Sequence, residues 1–142
     1  MSAALRTTGH VRDDHLLPCA GEVIHPDEFE VAIHYPGGHA VLDIRGEVDL
    51  LTAPELGSIL NALIDRGHRR IVCDLAGTTF MDAAGLGTLA IAAARLGPLG
   101  GVLAVRSASE MIERLFTICG LSTAIPMDNA IPAIAHVQNR GA

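Results

Sequence analysis

Lysine is absent from this 142-residue sequence, so all ten of its basic residues are arginine. The arginines are spread along the chain rather than clustered, and the formal net charge at pH 7 is −6. Binding to nucleic acid or to an anionic membrane surface depends on concentrated positive charge. The sequence therefore argues against both of these classes of partner.

Long apolar runs are also absent. No stretch approaches the ~18 consecutive apolar residues that a membrane-spanning helix requires. The chain starts Met-Ser-Ala-Ala-Leu-Arg and has no apolar run there of the length found in a signal peptide. We therefore expect a cytoplasmic protein that does not associate with a membrane.

Cysteine is scarce, and its three copies, Cys19, Cys73 and Cys119, are widely separated. A zinc site typically needs cysteines paired at short spacing, and none of the seven histidines forms a His-x-x-x-His pair. We therefore expect no metal site and interpret the cysteines as buried or free thiols. A redox pair between Cys73 and Cys119 is left open, because spacing alone does not decide it.

The rest of the composition is typical of one folded domain. Apolar residues make up 49% of the chain and charged residues 18%, which excludes a disordered acidic chain and a highly charged coiled coil. Residues 1–28 show no sustained hydrophobic period and are interpreted as an N-terminal tail or irregular lead-in. The folded domain is predicted to span residues 29–138.

Hydrophobic patterning beyond residue 28 alternates between strands and helices. Short or period-two apolar runs predict strands, and one-sided apolar faces between caps and glycines predict helices. The predicted strands span residues 29–35, 39–45, 71–75, 102–105 and 124–127; the predicted helices lie between Thr52 and Gly67 and over residues 83–96, 107–119 (with Cys119 on the inner face) and 129–137. This order predicts an α/β fold in which helices cover a sheet.

Two helix starts carry capping signals. Thr52 and Glu55 have the spacing of a capping box before the first helix. Asp82 is placed to cap the second helix by accepting hydrogen bonds from the backbone N–H of Ala84 or Gly85. Each of these patterns would satisfy backbone donors that the first helical turn leaves free.

The most informative stretch is residues 80–87, Phe-Met-Asp-Ala-Ala-Gly-Leu-Gly. The helix start here presents free N–H groups and the positive end of the helix dipole. Gly85 and Gly87 each cost a helix roughly 1 kcal/mol relative to alanine, which indicates close approach by another backbone, a partner or a ligand. The pair lacks the third glycine of a dinucleotide-binding loop, so no cofactor is expected.

Several motifs occur together in the order and spacing of a known family. They are Gly46-Glu47-Val48-Asp49, Thr52-Ala53-Pro54-Glu55-Leu56, Asp74-Leu75-Ala76-Gly77, Met81-Asp82-x-x-Gly85-Leu86-Gly87, Glu113-Arg114-Leu115-Phe116 and Cys119-Gly120-Leu121. The chain from about residue 29 to residue 137 resembles the STAS domain of bacterial anti-sigma-factor antagonists. The resemblance implies a STAS-like, four- to five-stranded mixed β-sheet covered on one face by about four α-helices.

The resemblance also implies a non-catalytic regulatory function. Such antagonists bind an anti-sigma factor, commonly a serine kinase with a histidine-kinase-like ATP fold, and thereby free a sigma factor for transcription. The expected contact surface centres on the start of the second helix, residues 82–88, with the loop of residues 46–52 beside it, and a homodimer is left open. The residues expected to bind the partner are Asp82, Ala83, Ala84, Gly85, Leu86, Gly87, Glu47 and Asp49.

In this family the kinase reverses binding by phosphorylating a serine, and the sequence departs from that pattern. Ala84 stands at the position of the phosphoserine, with Ala83 beside it, and neither side chain has a hydroxyl. The sequence therefore predicts an antagonist that phosphorylation at this position does not switch off. Thr78, Thr79 and Thr88 are the candidates for a substitute phosphoacceptor, although such hydroxyls also serve local backbone bonds.

An enzyme and a sensor are the alternatives to this binding function. A small α/β enzyme requires a nucleophile beside a base, or a phosphate cradle, and the sequence shows neither. Glu47 and Asp49 could be paired catalytic carboxylates, but acids in such a loop are more often solvated. A sensor or scaffold STAS module would instead respond to a ligand or to the redox state of Cys73 and Cys119.

Overall fold

The computed structural model describes residues 5–8 and 29–127. Within these residues the chain forms five strands and three α-helices. The strands are β1 (Leu5–Thr8), β2 (Glu30–His34), β3 (Ala40–Val48), β4 (Arg70–Met81) and β5 (Val102–Arg106). The helices are α1 (Ala53–Asp65), α2 (Ala83–Leu96) and α3 (Glu110–Ile118). None of these helices is long and apolar enough to cross a membrane.

The five strands lie in one mixed sheet in the order β1-β2-β3-β4-β5. Strands β1, β2 and β3 pair antiparallel, whereas β3, β4 and β5 pair parallel. A helix joins each parallel pair, α1 after β3 and α2 after β4, because parallel neighbours require a crossover connection. The predicted mixed sheet of four to five strands is confirmed.

One hydrophobic core lies between a face of the sheet and the helices. Side chains alternate between the two faces of a strand, and one alternating set packs with the inner residues of all three helices. The described helices therefore cover the same face, as predicted. The core includes Val31, Ile33, Leu42, Ile44, Ile71, Cys73, Leu75, Leu103 and Val105 from the strands and Leu56, Leu60, Leu63, Leu86, Leu89, Ile112 and Phe116 from the helices.

The end of α1 follows its sequence signal closely. Gly67 has a φ of +98°, and its N–H donates to the carbonyl of Ile64 at 3.0 Å. The next N–H, of His68, donates to the carbonyl of Leu63 at 3.0 Å. This left-handed termination favours glycine, so the predicted stop at Gly67 is confirmed.

The start of α1 differs from its prediction. Thr52 precedes the helix, but its side chain makes no capping hydrogen bond to it. Its hydroxyl instead donates to the carbonyl of Glu47 at 2.7 Å and accepts from the N–H of Asp49 at 2.9 Å. The predicted capping box of Thr52 and Glu55 is wrong, because the preceding loop engages the hydroxyl.

Two strands are longer than their apolar runs. The run at residues 71–75 predicts only the first part of β4, which continues to Met81 beside β3. Strand β3 likewise reaches Val48 rather than residue 45. The strand predicted at residues 124–127 is reduced to one parallel bridge, between Met127 and Val105.

Helix α3 begins at Glu110, three residues later than predicted. The Oγ of Ser109 accepts a hydrogen bond from the N–H of Ile112 at 3.2 Å, so Ser109 is the cap that fixes this start. Cys119 follows the helix and is exposed. Its predicted place on the inner face is therefore wrong.

Strand β1 lies within the segment interpreted as an N-terminal tail or irregular lead-in. Leu5–Thr8 pairs antiparallel with β2, with residue 5 opposite Ile33. The run is short and mixed, so local patterning does not indicate it. The division into residues 1–28 and 29–138 stays a prediction, and the helix predicted over residues 129–137 lies outside the described residues.

Candidate functional site

The candidate site lies where β3 and β4 end and α2 begins. Val48 and Met81 are opposite each other in the parallel pair. The N–H of Asp82 donates to the carbonyl of Val48 at 3.2 Å. The loop after β3 and the first turn of α2 are therefore held side by side at one end of the sheet.

Asp82 caps α2 as its sequence position predicts. Its Oδ1 accepts hydrogen bonds from the N–H of Ala84 at 2.9 Å and of Gly85 at 3.3 Å. The side chain is only half-buried, and Oδ2 accepts no hydrogen bond from the described residues. One carboxylate oxygen thus stabilises the helix start while the other stays available at the surface.

Replacing Asp82 tests the strength of this cap. We expect Asp82→Ala to lower the free energy of unfolding by about 0.5–2 kcal/mol, since two first-turn donors lose their acceptor. Asp82→Asn keeps a side-chain acceptor and should cost much less. Urea unfolding of both variants measures the difference, and equal losses would contradict the capping role.

The two glycines of the first turns have different surroundings. A Cβ at Gly85 would lie 2.8 Å from the side chains of Met81 and Val48 and 2.9 Å from the Val48 carbonyl oxygen. A Cβ at Gly87 would meet nothing within 4 Å. The close approach that the sequence predicts for this pair is therefore a contact of Gly85 with the end of β3.

The predicted partner-binding residues differ in burial: some are accessible at the surface, and others lie beneath it. Gly85 and Leu86 are buried, so they can shape the surface only from beneath. Ala83 is exposed and Ala84 is half-buried. The other predicted residues that are neither fully buried nor fully exposed are Asp82, Gly87, Glu47 and Asp49.

The loop after β3 is a hydrogen-bonded turn. The Oδ1 of Asp49 accepts from the N–H of Leu51 at 3.0 Å and of Thr52 at 3.1 Å. Two leucines at its tip, Leu50 and Leu51, are 74% and 85% exposed. Sequence reasoning places this loop beside the expected contact surface but does not single out the two leucines, although a leucine pair outside any helical or strand period was the available signal.

The threonines considered as substitute phosphoacceptors are all bonded to the backbone. Thr78 is buried, and its hydroxyl donates to the carbonyl of Ile44 at 2.8 Å. The hydroxyl of Thr79 donates to the carbonyl of Gly46 at 3.3 Å. That of Thr88 donates to the carbonyl of Ala84 at 3.0 Å. Phosphorylation at any of them would have to break a backbone contact.

The two described cysteines occupy different environments. Cys73 lies in the core, where burial, followed by the charge of Asp74, raises the pKa of its thiol to about 12. Cys119 is exposed, and both thiols are free. At neutral pH Cys73 is therefore a protonated, inaccessible thiol rather than a reactive one.

A shallow groove between α1 and α2 borders the site. Its volume is about 120 Å³, well below the 300–1,000 Å³ typical of ligand pockets. The groove is lined by Ala53, Pro54, Gly57, Leu60, Asn61, Thr88, Ile91 and Ala92. In the described part of the chain, no three His, Cys, Asp or Glu side chains are grouped to hold a metal ion.

Comparison with known proteins gives consistent matches. The family model for the STAS domain matches residues 30–134. A putative anti-sigma factor antagonist, BtrV of Bordetella bronchiseptica, is 29% identical over 98 residues, covering 69% of this chain and 84% of that protein. The anti-sigma-B factor antagonist of Staphylococcus aureus is 35% identical over 78 residues, covering 55% of this chain and 72% of that protein.

A solved structure agrees with these relatives. The crystal structure of an anti-sigma factor antagonist from Mycobacterium paratuberculosis superimposes with a TM-score of 0.68 at 27% sequence identity. The match covers 78% of this chain and 97% of that one. Fold and sequence thus point to the same group of regulatory proteins.

Proposed function

This chain belongs to the STAS domain family, and from its similarity to anti-sigma factor antagonists we propose that it is a non-catalytic regulator that binds an anti-sigma factor. The partner is a serine kinase with a histidine-kinase-like ATP fold. Binding it in the cytoplasm frees a sigma factor for transcription.

The surface at the start of α2 supports this proposal. Its exposed Ala83 and half-buried Ala84 offer little side-chain bulk, so a partner can approach the first helical turn closely. Asp82 adds a carboxylate oxygen that can accept hydrogen bonds from a partner arginine. The adjacent turn at Asp49 widens the contact area on the same end of the sheet.

The absence of a hydroxyl at residue 84 shapes the regulation that we propose. Alanine cannot form a phosphate ester, so the kinase cannot release itself by modifying this position. The nearby threonine hydroxyls, of Thr78, Thr79 and Thr88, already donate to backbone carbonyls. The complex should therefore persist in the presence of ATP.

A charge placed at residue 84 tests the contact surface. We expect Ala84→Glu to weaken binding to the anti-sigma factor at least tenfold, which is about 1.4 kcal/mol, since the buried carboxylate would lack a partner. Stability should be nearly unchanged, because an acid suits the first turn of a helix. Titration calorimetry against each purified anti-sigma factor of the source organism measures the effect.

Ala94→Glu is the matched control, because it places the same side chain at an exposed position of the same helix, nearly three turns further on. It should leave binding unchanged. Equal binding by the Ala84→Glu variant would place the contact surface elsewhere. Failure of the unaltered protein to bind any anti-sigma factor would overturn the proposed function.

A serine at residue 84 tests the regulation. For a kinase partner, we expect Ala84→Ser to create a phosphoacceptor. ATP should then dissociate the complex of this variant but not the complex of the unaltered chain. Gel filtration with and without ATP, followed by mass spectrometry of residue 84, measures both effects. Dissociation by ATP of the complex that the unaltered chain forms would contradict the proposed lack of control by phosphorylation.

The sensor or scaffold alternative has less support in the described residues. The groove between α1 and α2 holds only about 120 Å³. Cys73, one half of the suggested redox pair, is buried with a raised pKa. Binding through the start of α2 is therefore the function that the geometry favours.

A further inference from the structure

Two adjacent leucines, Leu50 and Leu51, lie at the tip of the turn between β3 and α1 and are together called the leucine tip. They are 74% and 85% exposed. One exposed leucine is ordinary on a protein surface. Two adjacent ones on a loop, where no helix or strand period requires them, indicate a contact surface when their surroundings agree.

The turn that carries the leucine tip is held in place by its own polar groups. Asp49 Oδ1 accepts from the N–H of Leu51 and of Thr52. The Thr52 hydroxyl donates to the carbonyl of Glu47 at 2.7 Å. A pre-organised loop loses less conformational entropy on binding than a mobile one, so its leucines are presented in a shape suited to association.

The leucine tip is continuous with the surface proposed to bind the anti-sigma factor. It starts two residues after Val48, whose carbonyl accepts from the N–H of Asp82 at 3.2 Å. Phe80, which is 42% exposed, is opposite Glu47 in the parallel pair of β3 and β4. Exposed apolar side chains thus extend along the same end of the sheet as the start of α2.

The chain segments that form the leucine tip and the start of α2 carry charge of one sign. Residues 46–65 and 71–94, which supply the loop and the start of α2, contain no Arg, Lys or His. The acids nearest to the tip in sequence are Glu47, Asp49 and Glu55, and Asp82 is beside it in the fold. The surface is therefore an apolar pair within an acidic rim.

We propose that the leucine tip is the apolar anchor of the complex, inserted into a hydrophobic cleft of the anti-sigma factor that arginine or lysine residues border. This proposal rests on the proposed function and names the chemistry of the partner surface. Apolar anchors surrounded by polar rims carry much of the energy of protein interfaces. The acidic rim steers a basic partner and rejects an acidic one.

The same charge argues against two other occupants. A second copy of this chain would bring one acidic rim against another, and like charges oppose association. An anionic membrane would repel the rim in the same way, because its surface potential is negative. A basic, cleft-bearing protein satisfies both the leucines and the acids.

The test replaces both leucines with serine. Leu50→Ser combined with Leu51→Ser should weaken binding to the anti-sigma factor on the order of 100-fold, because the complex would lose the burial of two apolar side chains. The fold should not change, because both side chains are exposed. The control is Ile118→Ser, which removes a side chain that is 72% exposed at the end of α3 and should leave binding unchanged. Affinity is measured by titration calorimetry against the anti-sigma factor that the unaltered chain binds.

Salt dependence tests the acidic rim separately. Raising NaCl from about 50 mM to about 500 mM should slow association with the anti-sigma factor, because it shortens the range of electrostatic steering. Glu47→Gln should reduce the same dependence. An association rate that does not change with salt would contradict the basic border proposed for the cleft.

The outcomes separate this proposal from the proposed function. If the unaltered chain binds and the double variant binds equally well, the leucine tip is not the anchor, while the proposed function stands. If the unaltered chain binds no anti-sigma factor, the proposed function fails first. Two further results would overturn the proposal. One is self-association of the unaltered chain in sedimentation velocity that the double variant does not show. The other is binding of the unaltered chain to vesicles of phosphatidylcholine and phosphatidylglycerol that the double variant does not show.

Discussion

Gly85→Ala is expected to lower the free energy of unfolding by about 1–3 kcal/mol, the usual cost of overpacking a close contact. The new Cβ would lie 2.9 Å from the carbonyl oxygen of Val48 and 2.8 Å from the side chains of Val48 and Met81. The side chains can rotate away at some cost, but the backbone oxygen belongs to β3 and cannot move without shifting the strand end. The loss should therefore be large for the addition of one methyl group.

Gly87→Ala is the matched control and should have the opposite sign. It adds the same methyl group two residues further along α2, where a Cβ meets nothing within 4 Å. Alanine is favoured over glycine within a helix by up to about 1 kcal/mol. Urea unfolding of the two variants should therefore show one loss and one gain, and a similar change for both would contradict the packing role of Gly85.

This pair of variants also bears on the site. A shift between α2 and the end of β3 would move Ala84 relative to the leucine tip, since both depend on the contact at Val48. Binding to the anti-sigma factor should therefore weaken in the Gly85 variant even where the protein remains folded. The Gly87 variant leaves that contact intact, so a loss of binding in it would come from the added methyl group on the predicted contact surface rather than from a shift of α2.

Local signals explain which parts of the fold could be predicted. Helix α2 matches its predicted limits, residues 83–96, because Asp82 caps its start and Pro98, which has no N–H to donate, lies just beyond its end. The stop at Gly67 depends likewise on its own backbone conformation. Such signals are complete within a few residues and need no tertiary contact.

Long-range contacts explain what could not be predicted. Strand β1 depends on pairing with β2 some 25 residues away, and the second half of β4 depends on β3 beside it rather than on its own apolar run. The Oγ1 of Thr52 could accept a hydrogen bond from the first turn of α1 or from the N–H of Asp49, and the folded loop has the second. Sequence spacing cannot choose between them.

The candidate site shows the same division. The cap at Asp82 was predictable because donors and acceptor lie within three residues. The reason for Gly85 was not, because the atoms that require a glycine belong to Val48 and Met81. The loop of residues 46–52 was expected beside the contact surface, but its two leucines were not singled out, because exposure is a property of the folded chain.

Stability is expected to decline at alkaline pH because of Cys73. Burial, followed by the charge of Asp74, raises the pKa of the folded thiol from its ordinary value of 9.0 to about 12. In the unfolded chain the thiol loses its proton near the ordinary value. Between these two pH values the unfolded state binds fewer protons than the folded state, so stability falls as the pH rises.

The slope is about 1.4 kcal/mol per pH unit for one proton, so the contribution of Cys73 reaches on the order of 4 kcal/mol over the full interval. Cys73→Ala removes the titrating group, and urea unfolding at several pH values above about 9 should show a shallower decline for this variant. Its stability near neutral pH will be lower because of the cavity that alanine leaves, so the slopes are the quantities to compare. Cys119→Ala is the control, because it removes an exposed thiol and leaves Cys73 in place, and it should keep the slope that Cys73 contributes. Parallel declines in the unaltered chain and both variants would contradict the raised pKa of Cys73 in the folded state.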